Sequence, residues 1–208
     1  MHQHHQKTEE QEILKLLVVG DIGCGKSSII RRFVEKQFNE SSKSTVGVEF
    51  YSKEVTLSDK KHYQVQLWDV GGQSSAQLLT RSFYKGAVAV LIVFDVVRPA
   101  TLVTAGQWKQ DVDQKVKNLQ GSPVPCILIG NKSDLYSNDQ EIKEKEFDIF
   151  SEENDFIGFH SVSAKTGDKI DKVIVDIAQY VIDFKIFPAT EESSVNLNPE
   201  ASHKNSNC

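Results

Sequence analysis

The sequence predicts an α/β fold in three layers: a mostly parallel six-stranded sheet with one antiparallel edge strand and helices on both faces. Three observations predict it. Short apolar runs of strand length alternate with longer segments of helical period, the pattern of crossover connections between parallel strands. Residues 49–57 and 63–69 are joined by a short turn around Ser58-Asp59-Lys60, which makes that pair a hairpin and therefore antiparallel. The glycine-rich and polar motifs follow apolar runs, which gathers them at the carboxyl ends of the strands, where ligands of open α/β sheets bind.

Taken in order, the apolar run 14–20 is a buried strand, and 26–36 a helix whose Ile29, Ile30 and Phe33 share one face. The hairpin strands come next, then a helix over 75–84 and the fully apolar strand 88–95. A long helix at 102–119 leads to the strand 126–130. A helix at 141–154, a strand at 157–161 and a helix at 169–184 complete the series. In the last helix Ile170, Val173, Ile174, Ile177, Ala178, Val181 and Ile182 keep the three-four spacing of one buried stripe.

Three motifs carry chemistry. Gly20-Asp21-Ile22-Gly23-Cys24-Gly25-Lys26-Ser27, with Ser28 after it, stands between a strand and a helix. Successive N–H groups in such a loop converge on anionic oxygens, and the helix adds its positive end. Lys26 is expected to reach the β- and γ-phosphates of a nucleotide and the Ser27 hydroxyl to bind Mg²⁺. Taken alone, the octet also fits a chance glycine loop. Val65-Gln66-Leu67-Trp68-Asp69-Val70-Gly71-Gly72-Gln73 supplies the second. Asp69 is expected to hold Mg²⁺ through its waters, Gly72 to bring an N–H to the γ-phosphate and Gln73 to orient an attacking water. Thr45 is the natural second hydroxyl on the metal. Asn131-Lys132-Ser133-Asp134 is the third, and out of context it is an ordinary polar turn. After a buried strand, Asp134 can accept from N1–H and the 2-amine of guanine. Adenine would leave it unpaired, at a cost of about 1–3 kcal/mol or more. Asn131 would tie this loop to the phosphate loop, the Lys132 stem would cover the base, and Ala164, between Ser163 and Lys165, would offer its N–H to the guanine O6. A phosphate-loop kinase for a small metabolite shares only 20–27 and leaves 131–134 unexplained.

Together these motifs resemble those of small GTPases of the Ras superfamily, and specifically of the Rab family, over about 14–184. The resemblance implies a phosphate-loop NTPase of the Ras-like G-domain type. It also implies slow GTP hydrolysis assisted by a GTPase-activating protein, with Mg²⁺ and GTP or GDP as ligands. Phe38 is then expected on the guanine or ribose, and Phe50, Trp68 and Phe83 as the aromatic trio shown to effectors; plain core packing would explain the trio equally well. The stretches 65–69, 108–116 and 121–125 and the hairpin 57–62 resemble the Rab branch of lysosome-related organelles such as melanosomes. Two positions depart from the family pattern. Ile22 stands where a small residue is usual beside the γ-phosphate, which implies slower hydrolysis. Gly71 stands where Rabs usually have alanine, and the Asp-Val-Gly-Gly-Gln run resembles Arf and Gα proteins. His2 offers no glycine for myristoylation, however, so an Arf identity is disfavoured. The two departures leave one alternative: a GTP-binding module with negligible hydrolysis, acting as a constitutive scaffold.

Composition agrees with one domain and two tails. The 208 residues carry a net charge of −5, which argues against nucleic acid as a partner. The apolar run 88–94 is too short to cross a bilayer, and no signal-peptide pattern opens the chain. Cys24, Cys126 and Cys208 lack metal or disulfide spacing. The expected organisation is a flexible arm at 1–12, a G domain at 13–185 and a disordered, hypervariable tail at 186–208. On a Rab-like domain Cys208 is expected to take a geranylgeranyl group, and the tail provides no polybasic second anchor. One lipid alone favours reversible attachment. The resemblance implies a monomer that meets an exchange factor, an activating protein, effectors, Rab escort protein and GDP dissociation inhibitor. It would move between cytosol and the cytoplasmic face of endolysosomal, phagosomal or lysosome-related vesicles.

Overall fold

The computed structural model describes residues 12–40, 44–72, 81–136 and 140–187. Gln73, Cys208, the N-terminal arm up to residue 11, most of the 75–84 helix and the tail from 188 lie outside the described residues. The elements are β1 (Glu12–Gly20), α1 (Lys26–Glu35), β2 (Val48–Thr56), β3 (His62–Val70), α2 (Arg81–Tyr84) and β4 (Ala87–Asp95). They continue as α3 (Pro99–Lys115), β5 (Cys126–Asn131), a 3-10 turn (Ser133–Leu135), α4 (Gln140–Glu153), β6 (Phe159–Val162) and α5 (Ile170–Asp183).

The sheet runs β2-β3-β1-β4-β5-β6. Only β2, the edge strand, is antiparallel to its neighbour. β4 is buried along its whole length, as a central parallel strand covered on both faces must be. Side chains alternate across the sheet. Leu16 and Val18 of β1 pack with Ile29 and Phe33 of α1 and Ile170 and Ile174 of α5. Leu17 and Val19 pack on the other face with Trp108 and Val112 of α3 and Phe147 of α4. Order of strands reverses beside β1, so the loops after β1, β3, β4 and β5 open on one crevice.

Several boundaries differ from the sequence expectation. β1 begins at Glu12, inside the expected arm, because Glu12 and Ile13 pair with Tyr63 and Gln64; backbone pairing, not burial, extends it. α1 ends at Glu35, and Lys36 closes it in a left-handed conformation (φ 59°). α3 starts at Pro99, three residues early. Proline suits a first helical turn, where its missing N–H costs nothing. The Thr101 hydroxyl also accepts from the Asp95 N–H (3.0 Å) and donates to the Arg98 carbonyl (2.7 Å). α3 stops at Lys115, because Lys117 pairs with Pro123 in a bridge. Regular pairing of the last strand begins at Phe159, opposite Leu128, and continues to Val162.

Candidate nucleotide-binding site

The loop after β1 is held by donors from three directions. Lys26 is buried, and its ammonium donates to the carbonyls of Gly20 (2.9 Å) and Asp21 (3.0 Å). The Asp21 carboxylate accepts from the Ile22 N–H (3.0 Å). Asn131 Nδ2 donates to the Cys24 carbonyl (2.8 Å), the tie between loops that the motif predicted. Gly25 has φ +90°, and a Cβ there would lie 2.2 Å from Asn131 Nδ2, so only glycine lets the two loops close. Gly72 abuts the same loop: a Cβ on it would lie 2.6 Å from the Ile22 nitrogen. The Ile22 side chain is partly exposed.

Three oxygen-bearing side chains from separate elements meet beside Lys26. Ser27 Oγ donates to Asp69 Oδ2, lies 2.7 Å from Thr45 Oγ1, and Thr45 Oγ1 donates to the same Asp69 oxygen (3.1 Å). Asp69 is fully buried, and its Oδ1 has no partner among the described residues. Burial pushes the Asp69 carboxyl above its ordinary range, and the bonds from Ser27 and Thr45 only partly offset this. Burial likewise lowers the Lys26 ammonium. Each charged form would gain from an ion of opposite sign, so a small, hard, oxygen-seeking cation fits Asp69 and its two hydroxyls, and an anion fits Lys26. Thr45 reaches the cluster because 44–47 docks under Gly71, whose N–H donates to the Gly47 carbonyl (2.9 Å). A Cβ at Gly71 would lie 2.6 Å from the Thr45 carbonyl oxygen, so the glycine permits this close approach.

A cavity of about 480 Å³ opens beside the loop, lined by Gly25, Ser28, Phe38, Asn131, Asp134 and Lys165 among others. Asn131 is buried, and its Oδ1 accepts from the Ala164 N–H (3.1 Å). Asp134 accepts from the Ser163 hydroxyl (2.5 Å), and Lys165 pairs with Glu40 (3.1 Å). Lys132 and Ala164 also line it. The loop after β1, the turn after β5 and the loop after β6 therefore line one cavity, and Ser27, which carries the oxygen cluster, stands next to its lining residue Ser28.

A model described as Ras family matches residues 15–183. Among curated relatives, a mouse protein named Ras-related protein Rab-7L1 is 36% identical over 93% of this chain and 91% of its own length. Ras-related protein Rab-32A of Dictyostelium discoideum is 41% identical over 82% and 77%. Human Ras-related protein Rab-32 is 34% identical over 89% and 82%. This chain belongs to the Ras family, among the Rab GTPases.

In this Rab GTPase two of the three expected effector aromatics touch directly. The rings of Phe50 and Trp68 lie 6.0 Å apart, with Phe50 largely exposed. Phe83 joins through Lys15, whose ammonium sits 3.7 Å over the Trp68 ring and donates to the carbonyls of Phe83 and Lys85 (both 2.8 Å). Lys15 had no signal beyond a charge inside an apolar run. Arg32, also unforeseen, fixes the third loop by donating to the carbonyls of Ala164 (2.8 Å) and Lys165 (2.6 Å).

The third unforeseen group is Asp95 at the end of β4. Its buried carboxylate accepts from Lys132 Nζ (2.6 Å) and Arg98 Nε (2.9 Å). A lone acid closing a wholly apolar strand is the signal that could have found it. Burial pushes its pKa up, but the Lys132, Arg98 and Val97 N–H bonds outweigh that and hold it below the ordinary range. The folded protein thus holds this proton less tightly than the unfolded chain. The resulting stabilisation is complete above the unfolded carboxylate value near 3.9 and is lost as pH falls from there through the lower folded value. Asp95→Asn is therefore expected to be less stable at pH 7 and to show a flatter fall in melting temperature below about pH 4 than the wild type, by thermal unfolding at pH 3–6.

Proposed function

We propose that this Rab GTPase is a GTP-timed switch of vesicle traffic, with the crevice residues in the following roles. Lys26 and the N–H groups of 21–28 hold the phosphates, and Ser27 and Thr45 hold Mg²⁺ with Asp69 behind them. When bound, Mg²⁺ supplies charge neutralisation at the β- and γ-phosphates. Asp134 accepts from the guanine edge and Phe38 covers base or ribose, while Ser163 and Lys165 support that loop; Ala164 offers its N–H to the guanine O6 by giving up its bond to Asn131 Oδ1. Gly72 reaches the γ-phosphate and Gln73 orients water. The supporting observation is the meeting of Thr45 with Ser27 and Asp69. It couples the segment before β2 to the phosphate site, so that loss of the γ-phosphate and its metal contacts would release that segment.

Phe50, Trp68 and Phe83 present the resulting state to effectors. An exchange factor and an activating protein set the cycle, the latter against the slow intrinsic rate that Ile22 lowers further. Cys208 carries a geranylgeranyl group, attached with Rab escort protein and extracted by GDP dissociation inhibitor. The membranes are endolysosomal, phagosomal or lysosome-related, on the resemblance of 65–69, 108–116 and 121–125 to that branch. The test is single-turnover hydrolysis. Wild type should hydrolyse GTP in a Mg²⁺-dependent reaction, and Gln73→Leu should be slower by on the order of tenfold or more with GTP still bound. Equal rates would remove Gln73 from the reaction, and absence of wild-type turnover even with a cell lysate would favour the constitutive scaffold.

A further inference from the structure

We propose that Arg98 is a positioning residue of the phosphate loop: by holding the Ile22 carbonyl it aims the Gly23 N–H at the bound phosphates. Arg98 stands in the β4–α3 turn, and its guanidinium spans two acceptors. Nε donates to Asp95 Oδ2 (2.9 Å), while Nη2 donates to the Ile22 carbonyl (2.8 Å) and lies 3.7 Å from Cys24 Sγ. The planar fork suits this double engagement, which a single ammonium reproduces poorly.

The carbonyls of the loop are engaged. Those of Gly20 and Asp21 accept from Lys26, that of Ile22 from Arg98, that of Cys24 from Asn131, and that of Gly25 from the Ile29 N–H (2.9 Å). In a planar trans peptide the C=O and the next N–H point in opposite directions. A clamp on the Ile22 oxygen therefore turns the Gly23 N–H away from α3, as the Asn131 clamp on Cys24 turns the Gly25 N–H. Without the clamp the 22–23 peptide unit is free to rotate, because Gly23 has φ +71° and tolerates many conformations.

Arg98 is itself held in place. Its N–H donates to the Asp95 carbonyl (2.9 Å), and its carbonyl accepts from Thr101. Asp95 is buried and also binds Lys132 from the base loop. Lys132, Asp95, Arg98 and Ile22 thus form a second tie between base loop and phosphate loop, parallel to the Asn131 tie. Arg98 is half-exposed, and a surface ion pair alone would matter little. Its weight comes from the backbone carbonyl it fixes.

This inference deepens the reading of 20–27 as the phosphate site. Its test compares GDP with GMP by calorimetry in Mg²⁺ buffer, because a clamp acting through one loop N–H should matter more for the longer phosphate chain. Arg98→Met keeps the stem and removes every donor; Arg98→Lys restores one. For Arg98→Met a GDP affinity loss of about tenfold or more is expected, with a GMP loss at least about threefold smaller and partial recovery in Arg98→Lys. A smaller GDP loss, an equal loss for GMP, or no recovery in Arg98→Lys overturns the role; an equal loss with a lowered melting temperature assigns Arg98 to plain stability. Wild type that binds GDP no more tightly than GMP would instead sink the phosphate-loop reading itself.

Discussion

Replacing Asp134 by alanine is expected to weaken GDP binding by about 10²–10⁴-fold and to abolish preference for guanine over adenine. The carboxylate stands at the cavity rim, held by Ser163 and free to accept from a second direction. Guanine presents two donors on one edge, and each hydrogen bond to a charged acceptor is worth about 1.5–3 kcal/mol. Adenine presents an acceptor at N1 and leaves the carboxylate unpaired, so its affinity should rise when the carboxylate is removed. Competition of GDP and ADP against a fluorescent guanine nucleotide measures both quantities. A GDP affinity within a few-fold of wild type would remove Asp134 from base recognition.

Gly25→Ala should have an effect of similar size through a different cause. The new Cβ would lie 2.2 Å from Asn131 Nδ2, far inside contact distance, at a backbone φ of +90°. Asn131 must then move, giving up its bonds to the Cys24 carbonyl and the Ala164 N–H, both buried. Left-handed backbone costs a non-glycine residue about 1–2 kcal/mol, and each buried group left unpaired about 1–3 kcal/mol. The expected loss of GDP affinity is about 10²–10⁴-fold, with a lower melting temperature even without nucleotide, because both bonds belong to the protein alone. Titration and thermal unfolding of one preparation check the pair of effects. Weaker GDP binding with an unchanged melting temperature would mean that Asn131 accommodates the methyl group, and that the loops are tied elsewhere.

The motifs were legible because their chemistry is local. Lys26 and Ser27 follow a glycine loop by necessity, and Asn131 and Asp134 lie three positions apart on one turn. The strand order was not legible. Nothing within β1 says that β3 and β4 are its neighbours, yet that choice brings Asp69 to Ser27 and Asp95 to Lys132. Gly71 shows the same limit: along the chain it reads only as a departure from the alanine usual in Rabs, whereas the approach of the Thr45 carbonyl explains it. The end of α3 was misplaced because helical period continues past Lys115, and only the bridge to Pro123 stops it.

By itself, then, the chain determined its fold class and the motifs proposed to bind a guanine nucleotide, since both depend on short-range spacing and hydrophobic period; its likeness to the Rab GTPases rests on the residues within those motifs. Tertiary structure alone decided which groups hold those motifs in place: Arg98 on Ile22, Lys15 on Trp68 and Arg32 on Ala164. These contacts join residues about fifty to one hundred and thirty positions apart. A long cationic side chain reads as ordinary surface charge until the fold supplies the carbonyl or ring it meets.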